Sequence, residues 1–324
     1  MSSTPDNMTG PTATPGTPET TAQPLYLRLM PAMFVPLWST GFIGAKYGLP
    51  YVEPLTFLTL RYVLVIALVL LAMAILRPQR IDRQTAFYSV IIGILIHACY
   101  LGAVFWSISV GMPAGIAAVI VGLQPILTAL LAGVLLNERV SLRQWAGLLL
   151  GLLGVIGVLS PGLQAIFGDA DNHSGISLIT VLTCGGGLVA ITLGTILQRA
   201  KAQNVPLWPG ALYQYIGAFV VTIPLALIFE TNQVIWSGEL IFALSWLVLV
   251  LSIGAISLLV IMLRHGAASR VATLFYLVPP VAALIAWLMF DEQLTVIQLV
   301  GMVIASTGVW LATRRPRVRP PVTQ

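Results

Sequence analysis

The sequence predicts an all-α membrane protein of ten transmembrane helices, built as two five-helix repeats of opposite orientation. Three observations predict it: composition, an internal repeat, and the placement of basic residues. The chain is 58% hydrophobic and 8% charged. A soluble globular domain carries about 25% charged residues, so this chain cannot cover a water-facing surface. Gln124–Val155 reads as an apolar helix with a proline, a short turn with a glutamate, and a second apolar helix with spaced small residues. Val278–Val309 repeats that pattern without a gap: Pro125 and Pro279, Glu138 and Glu292, Gln144 and Gln298, Gly147 and Gly301, and Gly154 and Gly308 are each 154 residues apart. An internal repeat constrains the fold before any local reading does.

The apolar segments run roughly over 30–48, 54–76, 86–108, 113–136, 141–160, 176–198, 208–229, 240–263, 270–290 and 294–313. Each is close to the ~20 residues that span a bilayer as a helix. Of the 16 Lys and Arg residues, 14 fall on alternate connections: Arg28, then Arg77, Arg80 and Arg83, then Arg139 and Arg143, then Arg199 and Lys201, then Arg264 and Arg270, and finally Arg314, Arg315, Arg317 and Arg319. The other connections hold Glu53, Asp169, Asp171, Glu230, Glu239, Asp291 and Glu292. The positive-inside rule then places both termini in the cytoplasm. It also places the Glu138 turn, with Arg139 and Arg143, inside, and the Glu292 turn outside. Five helices per half, an odd number, produce this inversion. Inverted repeats characterise secondary transporters with a substrate site near the bilayer midplane.

The expected units are a disordered cytoplasmic tail over 1–23, a first repeat over 24–160, an external linker over 161–175, a second repeat over 176–316 and a short tail over 317–324. The Thr- and Pro-rich start has neither a basic residue nor an apolar run, so it does not read as a signal peptide. Cys99 and Cys184 lie in apolar runs and read as buried, inert thiols rather than a disulfide framework.

The doubled turns, each with proline thirteen residues before glutamate and with Gln144, Gly147 and Gly154 or Gln298, Gly301 and Gly308 after it, resemble the drug/metabolite transporter superfamily in its ten-helix EamA-like form. The opening WSTGFIGAKYGLPYVEPLTFLTLRY, Trp38–Tyr62, is similar to that family's first helix pair. The resemblance covers about residues 30–314. It implies a carrier of the bacterial inner membrane, often an exporter, with helices one, three, four, six, eight and nine lining a cavity.

Candidate substrate-binding residues are Arg61, Lys46, His97, Tyr100, Trp38, Gln124, Gln214 and Tyr276. Arg61 and Lys46 are the only Lys or Arg residues outside the cytoplasmic set. An ionisable group within a membrane segment is costly and points to function, and both would attract a carboxylate or phosphate. Lys46 can also snorkel to the interface, and Arg61 can anchor helix-end carbonyls. Glu53, in the connecting turn, is the carboxylate placed to pair with either. His97 and Tyr100, three residues apart, share nearly one helix face. His97 reads either as a hydrogen-bonded core residue or as a ligand that responds to protons. Trp38 and Phe42 form an aromatic wall or a packing stripe. Gln124, Gln214 and Tyr276 supply neutral hydrogen-bonding groups.

Pro125, Pro279 and Pro280 are read as helix-interior hinges or kinks that free the carbonyls of Val121, Phe275 and Tyr276. Gly147, Gly151 and Gly154 against Gly301, Ala305 and Gly308 read as a close contact of helix five on helix ten. Gly185–Gly187 either loosens helix six or makes room for a neighbour.

No Asp or Glu lies inside a segment, no Asp pair is present, and none of the histidines His97, His173 and His265 shares a helix with another. These absences argue against an intramembrane enzyme, a metal site and a cofactor, and no basic–aromatic pattern points to nucleic acid. The expected partners are a small-molecule substrate and the lipid bilayer, with a monomer as the expected state and a homodimer as the alternative. The expected activity is alternating-access export of small organic metabolites, with amino-acid-like anions or zwitterions first. The alternatives are drug or neutral-metabolite efflux, and a non-transporting receptor or scaffold.

Overall fold

The structure is a computed structural model and describes residues 25–135, 141–167, 176–202, 205–255, 258 and 277–313. Among these the chain is helical, and the only β element is an isolated bridge between Val52 and Val234. The helices are α1 (Leu25–Gly48), α2 (Pro54–Leu76), α3 (Arg83–Ser109), α4 (Ala114–Val121), α5 (Gln124–Leu135), α6 (Leu142–Phe167), α7 (Leu178–Lys201), α8 (Leu207–Phe229), α9 (Gly238–Ala255), α10 (Val278–Phe290) and α11 (Val296–Thr313). Among the described residues α2, α3, α7, α8 and α9 are long and apolar enough to cross a membrane. Their outward faces suit lipid: Ile75 on α2 is 71% exposed and Phe229 on α8 is 75% exposed, a placement that would be unfavourable against water.

Polar side chains set where several helices begin. Ser177 and Thr180 cap α7 reciprocally, and Ser237 accepts from the Leu240 amide at the start of α9. Asp82 caps α3, and the hydroxyl and amide of Thr85 hold its carboxyl below the usual carboxylate range.

Two helices differ from the sequence reading. Segment 113–136 is not one helix; it breaks at Gly122–Leu123 into α4 and α5. Pro125 therefore sits in the first turn of α5, where a missing N–H costs nothing. Pro279 and Pro280 likewise occupy the first turn of α10. Among the described residues the matched prolines sit in the first turns of helices. Helix five also runs on to Phe167, so the expected linker is helical in its first half. Pro161 cannot pair with the carbonyl of Gly157, but the Ser160 hydroxyl donates to that carbonyl at 2.8 Å and keeps it satisfied. Glu138, Arg139, His173, His265, Tyr276 and both tails lie outside the described residues.

Without a hydrophobic drive between helices in lipid, close packing and interhelix hydrogen bonds decide the arrangement. α6 packs on α11 along the glycine face: a Cβ at Gly154 would stand 2.3 Å from the Ala305 nitrogen, and one at Gly308 would stand 2.4 Å from the Gly151 nitrogen. α2 packs on α8, and α4 on α10. α1 packs on α9 and α10, while α7 packs on α3, α4 and α5. Gly187 of α7 makes room for the Tyr100 backbone; Gly185 and Gly186 face open space. Cys184 is buried, whereas Cys99, expected inside, is exposed.

Candidate functional site

Arg61 lies seven residues into α2, about 10 Å along the axis, and is 4% exposed. Its Nη2 donates to Ser252 Oγ on α9 at 3.0 Å, and Ser252 in turn donates to the Leu247 carbonyl five residues back at 3.0 Å. Glu53 is not its partner. One Glu53 oxygen accepts from the amides of Thr231 and Asn232 and from the Thr231 hydroxyl. Among the described residues no carboxylate lies within ion-pair reach of Arg61.

Two local distortions bring side chains to Arg61. α3 is π-helical over Ile94–Leu101 and α9 over Trp246–Ala255. A π turn carries one more residue than an α turn and re-aims the side chains beyond it; such turns are frequent at functional sites. The first contains His97 and Tyr100, and the second contains Ser252. Two glycines then let α3 and α8 approach backbone to backbone: a Cβ at Gly93 would fall 1.9 Å from the Gln214 carbonyl oxygen, and one at Gly217 would fall 2.5 Å from that of Val90. The approach stacks the His97 imidazole on the Tyr215 ring, with centroids 4.5 Å apart and planes 15° from parallel. The Gln214 side chain lies beside the same imidazole. Tyr62, beside Arg61 in the chain, donates its hydroxyl to the His97 carbonyl at 2.7 Å and sets its ring 5.8 Å from that of Tyr215. Arg61 is an electrostatic neighbour of Tyr62, His97 and Tyr100.

Three polar atoms in this cluster are buried without a partner: Arg61 Nε, His97 Nδ1 and the Tyr215 hydroxyl. Each such group costs about 1–3 kcal/mol when left unmatched. The cluster thus offers one fixed positive charge, a hydroxyl and an imidazole nitrogen with spare hydrogen-bonding capacity. A carboxylate matches the first two as an acceptor.

The structure brings together Arg61, His97, Tyr100 and Gln214 of the expected set. Gln124 is used elsewhere, donating to Thr195 on α7 at 2.9 Å. The Trp38 ring packs on Phe34, with centroids 5.2 Å apart. Lys46 pairs with Glu292 at the far end of α1. Tyr276 lies outside the described residues. Sequence reasoning missed Tyr62 and Ser252. Ser252 left a faint signal, since it is the only hydroxyl in the apolar run Trp246–Ala255. Among the described residues no three His, Cys, Asp or Glu side chains converge as a metal would require.

A helical bundle with such lipid-suited faces is a multi-pass membrane protein, and this one holds a buried cation among aromatic rings in its interior. Its family follows from the chain itself: it belongs to the EamA-like transporter family, whose model matches residues 28–160 and again 178–314. The chain is similar to an Escherichia coli (strain K12) protein named "Probable amino-acid metabolite efflux pump", 26% identical over 86% of this chain and 92% of that one. It is similar to YvbV, an uncharacterised transporter of Bacillus subtilis (strain 168), at 25% identity over 90% and 92% of the two chains. A "Probable terminal-alkyne amino-acid exporter" of Streptantibioticus cattleyicolor is 28% identical over 64% of this chain and 66% of its own. A solved crystal structure with 18% identity covers 89% of this chain and 97% of its own at a TM-score of 0.61, a likeness of fold.

Proposed function

We propose that the protein is a ten-helix, inverted-repeat carrier that exports small organic metabolites by alternating access, with amino-acid-like anions or zwitterions as its substrates. The observation that carries the substrate class is Arg61: a buried guanidinium held by a neutral hydroxyl, with Nε unmatched. The binding group is Arg61 with Tyr215, His97 and Tyr100, with Gln214 beside the imidazole. Export is supported by the names of the Escherichia coli and Streptantibioticus relatives.

The inverted repeat is supported by three regularities. α1 and α7 begin at residues 25 and 178, α2 and α8 at 54 and 207, and α6 and α11 at 142 and 296. The family model matches the chain twice. Packing also exchanges between halves: α1 meets α9 as α7 meets α3, and α1 meets α10 as α7 meets α4 and α5. The placement of Lys and Arg supports cytoplasmic termini in a bacterial inner membrane. Export of neutral aromatic compounds is the second reading, favoured by the Tyr62, His97 and Tyr215 rings.

The test is efflux of labelled amino acids from proteoliposomes, competed by the free acids and by their methyl esters. Competition by the acids and not by the esters is expected. Equal competition would move the substrate class to neutral compounds. Binding without flux would end the carrier reading in favour of a receptor.

A further inference from the structure

One end of the bundle gathers carboxylates, and two of them are spent on backbone. Glu53 accepts from the α8–α9 connection, and Glu230 accepts from the Leu55 and Thr56 amides at 2.7 Å each. Glu292 is used differently. It pairs with Lys46 in the last turn of α1, and the same oxygen accepts the Ala114 amide at the start of α4 at 3.3 Å. The Lys46 ammonium also lies 4.7 Å from the Phe290 ring centre, at the end of α10. Three separate stretches of chain therefore meet on one carboxylate: α1, α4 and the turn between α10 and α11.

This is not an ordinary surface pair. The two side chains are 31% and 10% exposed, and the carboxylate sits at a helix N-terminus, where an anion is favoured. A ring face adds to the hold on the ammonium. Removing one charge leaves the other desolvated and unmatched. Yet the lysine remains close enough to water to be rehydrated when the pair parts, as a reversible contact requires.

The surrounding packing turns the pair into a clamp. α4 and α10 run antiparallel in close contact: a Cβ at Gly115 would stand 3.1 Å from Ala283, and one at Gly122 would stand 2.8 Å from Pro279. The far end of α4 is the Gly122–Leu123 break, beside the proline-led start of α10. Ser39 of α1 donates to the Val278 carbonyl at 3.2 Å, so α1 follows α10 from its first residue to Phe290. At the carboxylate end the Lys46–Glu292 contact is the polar link shared by the three stretches, beside the apolar packing of α1 and α4 on α10.

We propose that Lys46 and Glu292 form the gate at the carboxylate end of the transport path, closed in this structure, and that their separation frees α1 from α4 and α10. This rests on the carrier reading. It gives Lys46 a gating task in place of the direct substrate contact expected from the sequence.

The test reads accessibility, so it needs no substrate. In a full-length Cys99→Ala, Cys184→Ala background, Ser39→Cys supplies a reporter at a fully buried position. Its alkylation by a membrane-impermeant maleimide is timed in whole cells and in inverted vesicles. Lys46→Gln and Glu292→Gln should each speed labelling about fivefold or more, from one side of the membrane only. Lys46→Arg should leave the rate near that of the parent. Lys46→Glu with Glu292→Lys should label more slowly than either single neutral variant. Glu292→Gln can still accept from Ala114, so it keeps the test open where Lys46→Gln does not fold. Unchanged labelling in Glu292→Gln, or a lowered thermal midpoint with no gain in accessibility, would overturn the gate while leaving the carrier reading intact. Faster labelling in a protein that moves no solute would instead overturn the carrier reading and leave an opening contact at this end.

Discussion

Arg61 on α2 reaches Ser252 on α9 across 3.0 Å, and Ser252 relays that bond to the Leu247 carbonyl within a π turn. The guanidinium is thus held by a neutral hydroxyl from α9, with no carboxylate paired to it among the described residues. A carboxylate in place of Ser252 would have neutralised it.

Arg61→Gln should weaken binding of an anionic substrate about 10- to 100-fold, the loss of a charge-assisted hydrogen bond. The thermal midpoint should hold or rise, because a buried charge without a counterion is removed. Arg61→Lys should fall between, since lysine keeps the charge and lacks the fork. Flux, affinity and midpoint measured on one preparation decide it. A lower yield and midpoint with unchanged affinity would make Arg61 a structural anchor.

Ser252→Ala removes the acceptor that aims Arg61. The half-saturating concentration for free amino acids should rise about three- to tenfold, with the maximal rate retained. Competition by methyl esters should not change, whereas general damage to α9 would alter acids and esters alike. Ser252→Thr keeps the hydroxyl and should restore the acid affinity.

Glycines on the two faces should separate cleanly. Gly154→Leu and Gly301→Leu force the α6 and α11 backbones apart, because the added Cβ atoms would stand 2.3 Å and 2.7 Å from backbone atoms of the partner helix. Both should lower the midpoint in detergent by several degrees or abolish folding. Gly185→Ala meets nothing within 4 Å, and alanine in a helix should be neutral or gain up to about 1 kcal/mol. Wild-type stability in both leucine variants would refute the helix contact.

Single cysteines at positions 138 and 292 should label from opposite faces of the membrane with an impermeant thiol reagent, and both termini should face the cytoplasm. Labelling of both positions from one face would end the inverted-repeat reading.

Much of the helix layout was legible because lipid imposes one rule, a continuous apolar run, and because the halves repeat. The features that were not legible have specific causes. The break at Gly122–Leu123 falls where Pro125 cannot donate to the Val121 carbonyl; the packing of Pro279 against Gly122 at the same point is a long-range contact that no local pattern reports. The helix continues beyond Pro161, where the Ser160 hydroxyl takes up the Gly157 carbonyl that the proline cannot reach. Arg61 stood out as a lone cation in an apolar run. Ser252 and Tyr62 did not, since a lone hydroxyl in a membrane helix commonly bonds its own backbone. Glu53, near Lys46 in the chain, pairs with neither Lys46 nor Arg61, because the amides of Thr231 and Asn232, far along the chain, occupy that carboxylate.

The π turns at Ile94–Leu101 and Trp246–Ala255 also constrain how the chain can be recombined with its relatives. Each adds a residue to the helix, and one residue turns the later side chains by about 100°. Exchange with a relative that lacks the extra residue would swing His97, Tyr100 or Ser252 away from Arg61, although every individual substitution looked conservative. A chimera keeps the cluster only when its crossovers fall before Ile94 or after Leu101, and before Trp246 or after Ala255.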